Sequence, residues 1–160
     1  MMKNYHQLIE QLKAKKLTIS TAESCTGGLV AKLLTDIPGS SDVFIGGFVS
    51  YSNEMKMKWL GVKKETLLNY GAVSEQTVGE MLDGIMRETG SDFAVAVSGI
   101  AGPTGGTPEK PVGTIFIGVA LFEQKVVKKY HFRGSREDVR MKSAIKVVEM
   151  IQESFSFTSS

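Results

Sequence analysis

Leu17-Thr18-Ile19-Ser20-Thr21-Ala22-Glu23-Ser24-Cys25-Thr26-Gly27-Gly28-Leu29-Val30-Ala31-Lys32-Leu33-Leu34 reads as three local structures in succession. Residues 17–21 favour extended chain and read as a strand. Leu29 to Leu34 is an apolar run suited to a helix, stopped near Pro38-Gly39. Between them Gly27-Gly28 gives the backbone the freedom of a tight turn. Strand, turn and helix in this order make the first unit of an α/β fold.

Upstream, Leu8, Ile9 and Leu12 fit one face of a helix over 4–16. Downstream, Phe44 to Tyr51 reads as a strand with a bulge or close backbone approach at Gly46-Gly47. Ser52 or Asn53 then caps a short helix that ends near Gly61. A connecting turn at Leu67 to Val73 leads to Ser74, the cap of a longer helix through Glu88 with Val78, Met81, Leu82, Ile85 and Met86 inside. Phe93 to Val97 reads as a buried strand, and Thr114 to Phe122 and Val126 to Phe132 as two more joined by a Glu123-Gln124 turn. Ser135 caps a last helix carrying Val139, Ala144, Val147, Val148 and Ile151, before a fraying tail at Thr158-Ser159-Ser160. The order implies parallel crossovers early and an antiparallel hairpin late. The expected architecture is a three-layer α/β/α sandwich with a mixed, mostly parallel sheet of about five strands.

The 160 residues fit one domain, and 42% apolar with 22% charged residues is an ordinary globular composition. The formal charge is only +2, and Lys56, Lys58, Lys63 and Lys64 alternate with other residues as on a solvated helix face, so no nucleic-acid partner is expected. Cys25 is the single cysteine, which precludes an internal disulfide and suits a reducing, cytoplasmic setting. No apolar run approaches the roughly 20 residues of a membrane helix. Two distant histidines, His6 and His131, and one cysteine give a metal little to hold, and no metal or cofactor is expected. The run Ser98-Gly99-Ile100-Ala101-Gly102-Pro103-Thr104-Gly105-Gly106 matches neither the dinucleotide nor the P-loop glycine pattern, so neither NAD nor ATP is indicated.

Three segments after strands concentrate reactive groups. Ser24 lies at the strand-to-helix turn, with Thr26, Gly27 and Gly28 offering backbone amides to an anion; the competing role is helix capping by Glu23, Ser24 and Thr26. A serine needs a base, and neither histidine neighbours it in the reading, whereas Lys56 falls in the first turn of a helix whose dipole disfavours its charge. Partial burial must add to the dipole to bring that amine near neutrality. Tyr51 can relay the proton or orient Lys56. Plain strand aromatic and solvent-exposed lysine are the alternatives for these two. The glycine-rich loop, with Ser98, Gly99 and Gly102, is either donor-rich ligand wall or simple connector. Arg136 and Arg140, four apart on one helix face, can hold a phosphate or pair with Glu137 or Asp138. Cys25 is a rival nucleophile beside Ser24. Open α/β sheets bind ligands beyond the carboxyl ends of their strands, which is where Ser24 and Lys56 can meet.

The motifs AESCTGG at 22–28, PGSS at 38–41, YSNEMK at 51–56, LGV at 60–62, GAVSE at 71–75, SGIAGPTGG at 98–106, KPVG at 110–113 and GSREDVR at 134–140 resemble the CinA C-terminal domain family almost from end to end. The resemblance implies hydrolysis of the carboxamide of nicotinamide mononucleotide to nicotinic acid mononucleotide and ammonia, within pyridine-nucleotide salvage. It matches the family's serine to Ser24, its tyrosine and lysine to Tyr51 and Lys56, the hydroxyl opening its glycine loop to Ser98, and its substrate arginine to Arg136 or Arg140. It further suggests a homodimer. Many relatives carry an additional N-terminal domain similar to molybdopterin-binding proteins, and no such domain is expected within 1–160. A non-catalytic nucleotide-binding module, or a serine amidase for another carboxamide, is the alternative function.

Overall fold

The computed structural model describes residues 2–155, and side chains from Asn4 onward; the tail at 158–160 lies outside them. Its elements are α1 (Met2–Lys15), β1 (Ile19–Glu23), α2 (Leu29–Thr35), a 3-10 turn (Ser40–Asp42), β2 (Phe44–Val49), α3 (Asn53–Leu60), α4 (Lys64–Tyr70), α5 (Glu75–Thr89), β3 (Phe93–Gly99), β4 (Thr114–Leu121), β5 (Gln124–His131) and α6 (Arg136–Phe155). The sheet order is β2-β1-β3-β4-β5. β1 pairs in parallel with both β2 and β3, while β4 runs antiparallel to β3 and to β5. Four of the five strands therefore point one way, and β4 alone opposes them.

The period-two alternation of the strands divides the core into two unlike layers. In β3, Phe93, Val95 and Val97 face α1, α2 and α6, where Leu8, Leu12, Leu34, Val147 and Ile151 close the larger cluster. On the other face Ala94 and Ala96, with Ala22 and Ala120, meet Val78, Leu82 and Ile85 of α5 and Leu60 of α3. The small face lets α5 approach closely. At Gly118 in β4 a methyl group would sit 2.7 Å from Leu82 and 2.8 Å from Val78. Each fully buried Leu, Ile, Val or Phe contributes about 1.5–3 kcal/mol, so both layers are needed to offset chain entropy.

The long helices start where local capping residues predict. Ser74 Oγ accepts from the Thr77 amide of α5. Ser52, rather than Asn53, caps α3 by accepting from the Met55 amide. Ser135 and Asp138 exchange hydrogen bonds at the start of α6, a reciprocal cap.

Three expectations need correction. The first strand lies at 19–23 rather than 17–21, because Asp92 takes both the Thr18 amide and its hydroxyl ahead of the sheet, while β2 and β3 flank the chain as far as Glu23. The expected turn at 67–73 begins as the helix α4, and only 71–74 connects. Lys63, its N-cap, supplies no side-chain bond; instead Glu80 of α5 accepts from the Lys63 amide (2.8 Å) and the Thr66 hydroxyl (2.6 Å). A cap delivered from another helix leaves no trace in the local sequence. The hairpin turn falls at Phe122-Glu123, one residue before Glu123-Gln124, so that β5 begins at Gln124.

Among the described residues no helix is long and apolar enough to cross a membrane.

Candidate active site

The carboxyl ends of β1, β2 and β3 open onto one cavity of about 320 Å³, lined by Ser24 and Cys25 after β1, Tyr51, Asn53 and Lys56 after β2, Ser98 to Gly102 at and after β3, and Arg136 at the start of α6. Sequence separation is large and spatial separation small because parallel neighbours end on the same edge of the sheet.

Lys56 is 1% exposed. Its Nζ lies 2.9 Å from Ser24 Oγ, 2.9 Å from the Ser50 carbonyl and 3.0 Å from the Tyr51 carbonyl. Burial, the largest influence, lowers its pKa from the ordinary 10.5 to about 8, since a desolvated ammonium is costly. As an ammonium, Nζ donates to all three partners; on losing a proton it keeps two N–H groups for the two carbonyls and turns its lone pair toward the Ser24 hydroxyl. Tyr51 orients Lys56 through its backbone carbonyl, whereas its half-exposed ring reaches outward and its hydroxyl accepts from Arg136 Nη2 (2.9 Å).

Ser24 is free for this role because another residue caps α2. The N-cap position is Gly28, with no side-chain bond. The Glu23 carboxylate takes the Thr26 hydroxyl (2.7 Å) and the Val30 and Ala31 amides (2.9 and 3.1 Å). Of the three capping candidates, Glu23 caps, Thr26 ties the turn to it, and Ser24 does neither. Cys25 is a poor rival: burial pushes its thiol up to about 12, which suppresses the thiolate.

The expected binding residues divide into two groups. Ser98, Gly99, Gly102 and Arg136 line the cavity with Ser24 and Lys56. The Ser98 hydroxyl donates to the Ala72 carbonyl (2.8 Å) and so fixes the 71–74 segment as an opposite wall. Arg136 Nη1 donates to the Gly102 carbonyl (2.8 Å), spanning the mouth from the glycine loop to Tyr51. Thr26, Gly27, Gly28 and Arg140 stand outside the lining. Arg140 Nη2 donates to the Thr26 carbonyl (2.9 Å), and a methyl at Gly27 would lie 2.7 Å from the same nitrogen. Arg140 buttresses the turn, while Arg136 is the guanidinium at the cavity. His131 accompanies neither, its Nε2 lying against the Val112 carbonyl.

Asn53, Ala72 and Val73 also line the cavity and were not singled out in the sequence. Asn53 was within reach, since it precedes Lys56 by three residues and shares its helix face. Ala72 and Val73 carry no sequence signal; the Ser98 bond brings them in. Among the described residues no cluster of three or more His, Cys, Asp or Glu side chains is arranged to hold a metal ion.

Comparison with known proteins bears on the fold and the family. Residues 2–155 match the model of the CinA C-terminal domain. The CinA-like protein of Thermotoga neapolitana is 52% identical over 147 residues, covering 91% of this chain and 36% of that protein. The CinA-like protein of Thermotoga maritima is 48% identical over 146 residues, again 91% and 36%. The chain thus spans about a third of the length of these curated relatives. Among solved structures, the competence/damage inducible protein CihA from Agrobacterium tumefaciens superimposes with a TM-score of 0.93 at 40% identity, covering 95% of this chain and 93% of that one. A CinA superfamily protein from Klebsiella pneumoniae 700603 gives 0.95 at 33% identity, covering 98% of each. With the domain model matched over nearly its whole length, the chain belongs to the CinA C-terminal domain family.

Proposed function

We propose that this chain hydrolyses the carboxamide of nicotinamide mononucleotide, releasing ammonia and nicotinic acid mononucleotide, with Ser24 as nucleophile and Lys56 as base. The observation that carries the reading is the buried Lys56 Nζ at 2.9 Å from Ser24 Oγ at the floor of a cavity of suitable size for a small ligand.

Unprotonated Lys56 takes the Ser24 proton as Oγ bonds to the carboxamide carbon, giving a tetrahedral oxyanion. The amides of Cys25, Ala101 and Gly102 belong to cavity-lining residues and have no backbone acceptor among the described residues, so they are among the donors available to that oxygen. Lys56 returns the proton to the departing nitrogen, the C–N bond breaks, and ammonia leaves. Water then gives a proton to Lys56 and adds to the acyl carbon; Ser24 recovers that proton as the ester bond breaks and the acid is released. The 5′-phosphate is assigned to Arg136, which lines the cavity and whose guanidinium matches phosphate geometry.

The test is ammonia and nicotinic acid mononucleotide formation by the purified chain, compared with nicotinamide lacking the ribose phosphate. Turnover of the mononucleotide with poor use of nicotinamide supports the reading. Equal turnover of both removes the phosphate site, and binding without ammonia release replaces the enzyme with a nucleotide-binding module.

A further inference from the structure

The turn that carries Ser24 is held from beneath by a buried carboxylate outside the cavity. Glu23 is 1% exposed, and its side chain accepts from three donors at Thr26, Val30 and Ala31. Its backbone is engaged as well. The Glu23 carbonyl accepts from the Ser50 amide (2.9 Å), and Ser50 in turn offers its own carbonyl to Lys56. Glu23 is therefore joined to both members of the pair: covalently to Ser24 on one side, and through Ser50 to Lys56 on the other. The Arg140 bond to the Thr26 carbonyl closes the turn from outside, so residues 24–28 are gripped between an acid and a base.

From this arrangement we infer that Glu23 is a positioning residue for the reaction: its carboxylate fixes the 24–28 turn so that Ser24 Oγ and the Cys25 amide keep the geometry needed for attack and oxyanion binding. The inference rests on Ser24 being the nucleophile of the proposed function. Chemistry explains why a carboxylate is used. One oxygen accepts from Thr26 and Val30 and the other from Ala31; a glutamine amide satisfies only one side and turns an N–H toward the remaining N–H. The negative charge faces the amides opening α2.

The same fold contains a built-in control. Glu80 caps α4 in the same remote way, through the Lys63 amide and Thr66, but touches none of the reacting groups. Glu23→Gln, Glu23→Ala and Thr26→Val are compared with Glu80→Gln by kcat, KM, thermal midpoint and the rate at which an active-site-directed fluorophosphonate labels Ser24, located by mass spectrometry. Expected is a roughly tenfold fall in kcat and labelling rate for Glu23→Gln and about a hundredfold fall for Glu23→Ala, with KM within about twofold and the pH midpoint unmoved. Thr26→Val, which removes a single contact, falls less and guards against failure of the Ala variant to fold. Glu80→Gln lowers the thermal midpoint without changing kcat or labelling. The proposal is overturned if folded Glu23 variants label and turn over as wild type does, or if their losses merely follow stability as Glu80→Gln does. A wild type that labels at Ser24 yet leaves the mononucleotide intact defeats the proposed substrate and still tests Glu23 through labelling. A wild type that does not label, with Ser24→Ala as the blank, defeats Ser24 as nucleophile and Glu23 with it.

Discussion

The parallel half of the sheet, β2-β1-β3, and its antiparallel half, β4-β5, are built from the same kinds of strand and do different work. The three parallel strands end on one edge and bring Ser24, the Ser50 and Tyr51 carbonyls with Lys56, and the Ser98–Gly102 loop to one cavity. β4 runs the other way and contributes burial, with Ile115, Ile117 and Val119 in the core. β5 turns back and faces solvent along most of its length, with Lys125, Lys128 and Lys129 guarding a sheet edge. Its contribution to the site is delivery: it ends beside the cavity, so that α6 starts there and presents Arg136. Direction of the strands decides which half lines the cavity, and the reversal at β4 lets a solvent-facing strand still aim a helix at it.

The largest effects should come from the parallel half. Ser24→Ala and Lys56→Ala each lower kcat at least about a thousandfold in folded protein, and the double variant is no worse than either, because the two act as one unit. Additive losses, measured by ammonia release, would separate the pair and break the contrast.

Next is pH. With the Lys56 pKa lowered to about 8, kcat/KM rises about tenfold per unit below that value and levels above it. Stability moves in the same direction. The folded state releases this proton at about 8 and the unfolded state at 10.5, so the burial penalty is present in full below 8 and vanishes as pH rises to 10.5. The stability of wild type relative to Lys56→Met should increase by roughly 3 kcal/mol across that window. Parallel denaturation curves for the two proteins from pH 7.5 to 10.5 measure it, and a constant difference denies the shift.

The arginines sharpen the boundary between halves. Arg136→Gln is expected to raise KM for the mononucleotide ten- to a hundredfold while leaving kcat nearly intact, and to leave nicotinamide binding unchanged. Equal losses for both ligands would place Arg136 in the scaffold rather than at a phosphate.

The smallest effect belongs to β5. Lys125 pairs with Asp83 at 2.9 Å, both partly exposed, and such a pair contributes about 1 kcal/mol or less. Lys125→Gln and Lys128→Gln should therefore shift stability by under about 1 kcal/mol and leave kcat/KM within twofold. A larger loss of activity would mean that the antiparallel half does more than position α6.

Most of the fold was legible because its signals are local. Ser52, Ser74 and Ser135 cap helices from within their own turns, and the apolar spacing in α1, α5 and α6 matches what is buried. Two of the three errors fall where a partner comes from elsewhere, Asp92 at the start of β1 and Glu80 at the start of α4; the third is a one-residue slip in the β4-β5 turn. The site shows the same division. Ser24, Lys56 and the glycine loop stood out by residue type, whereas the roles within the list did not. Tyr51 acts on Lys56 with its backbone, Arg140 supports a turn rather than facing the cavity, and Ala72 and Val73 enter through a bond from Ser98.

The sequence by itself determined the α/β class, the family, the turn that carries Ser24 and the lysine that follows β2, because strand and helix periodicity, capping residues and motif order are properties of neighbours along the chain. Only the tertiary structure decided that Lys56 is buried against Ser24 with two carbonyls holding its protons, that Glu23 rather than Ser24 caps α2, and that Arg136 rather than Arg140 reaches the cavity. The first and last depend on desolvation and on hydrogen bonds between residues up to 114 positions apart, and the cap, though local in sequence, depends on which of three neighbouring side chains the packed turn aims at the helix amides; burial is a property of the packed molecule rather than of any stretch of its chain.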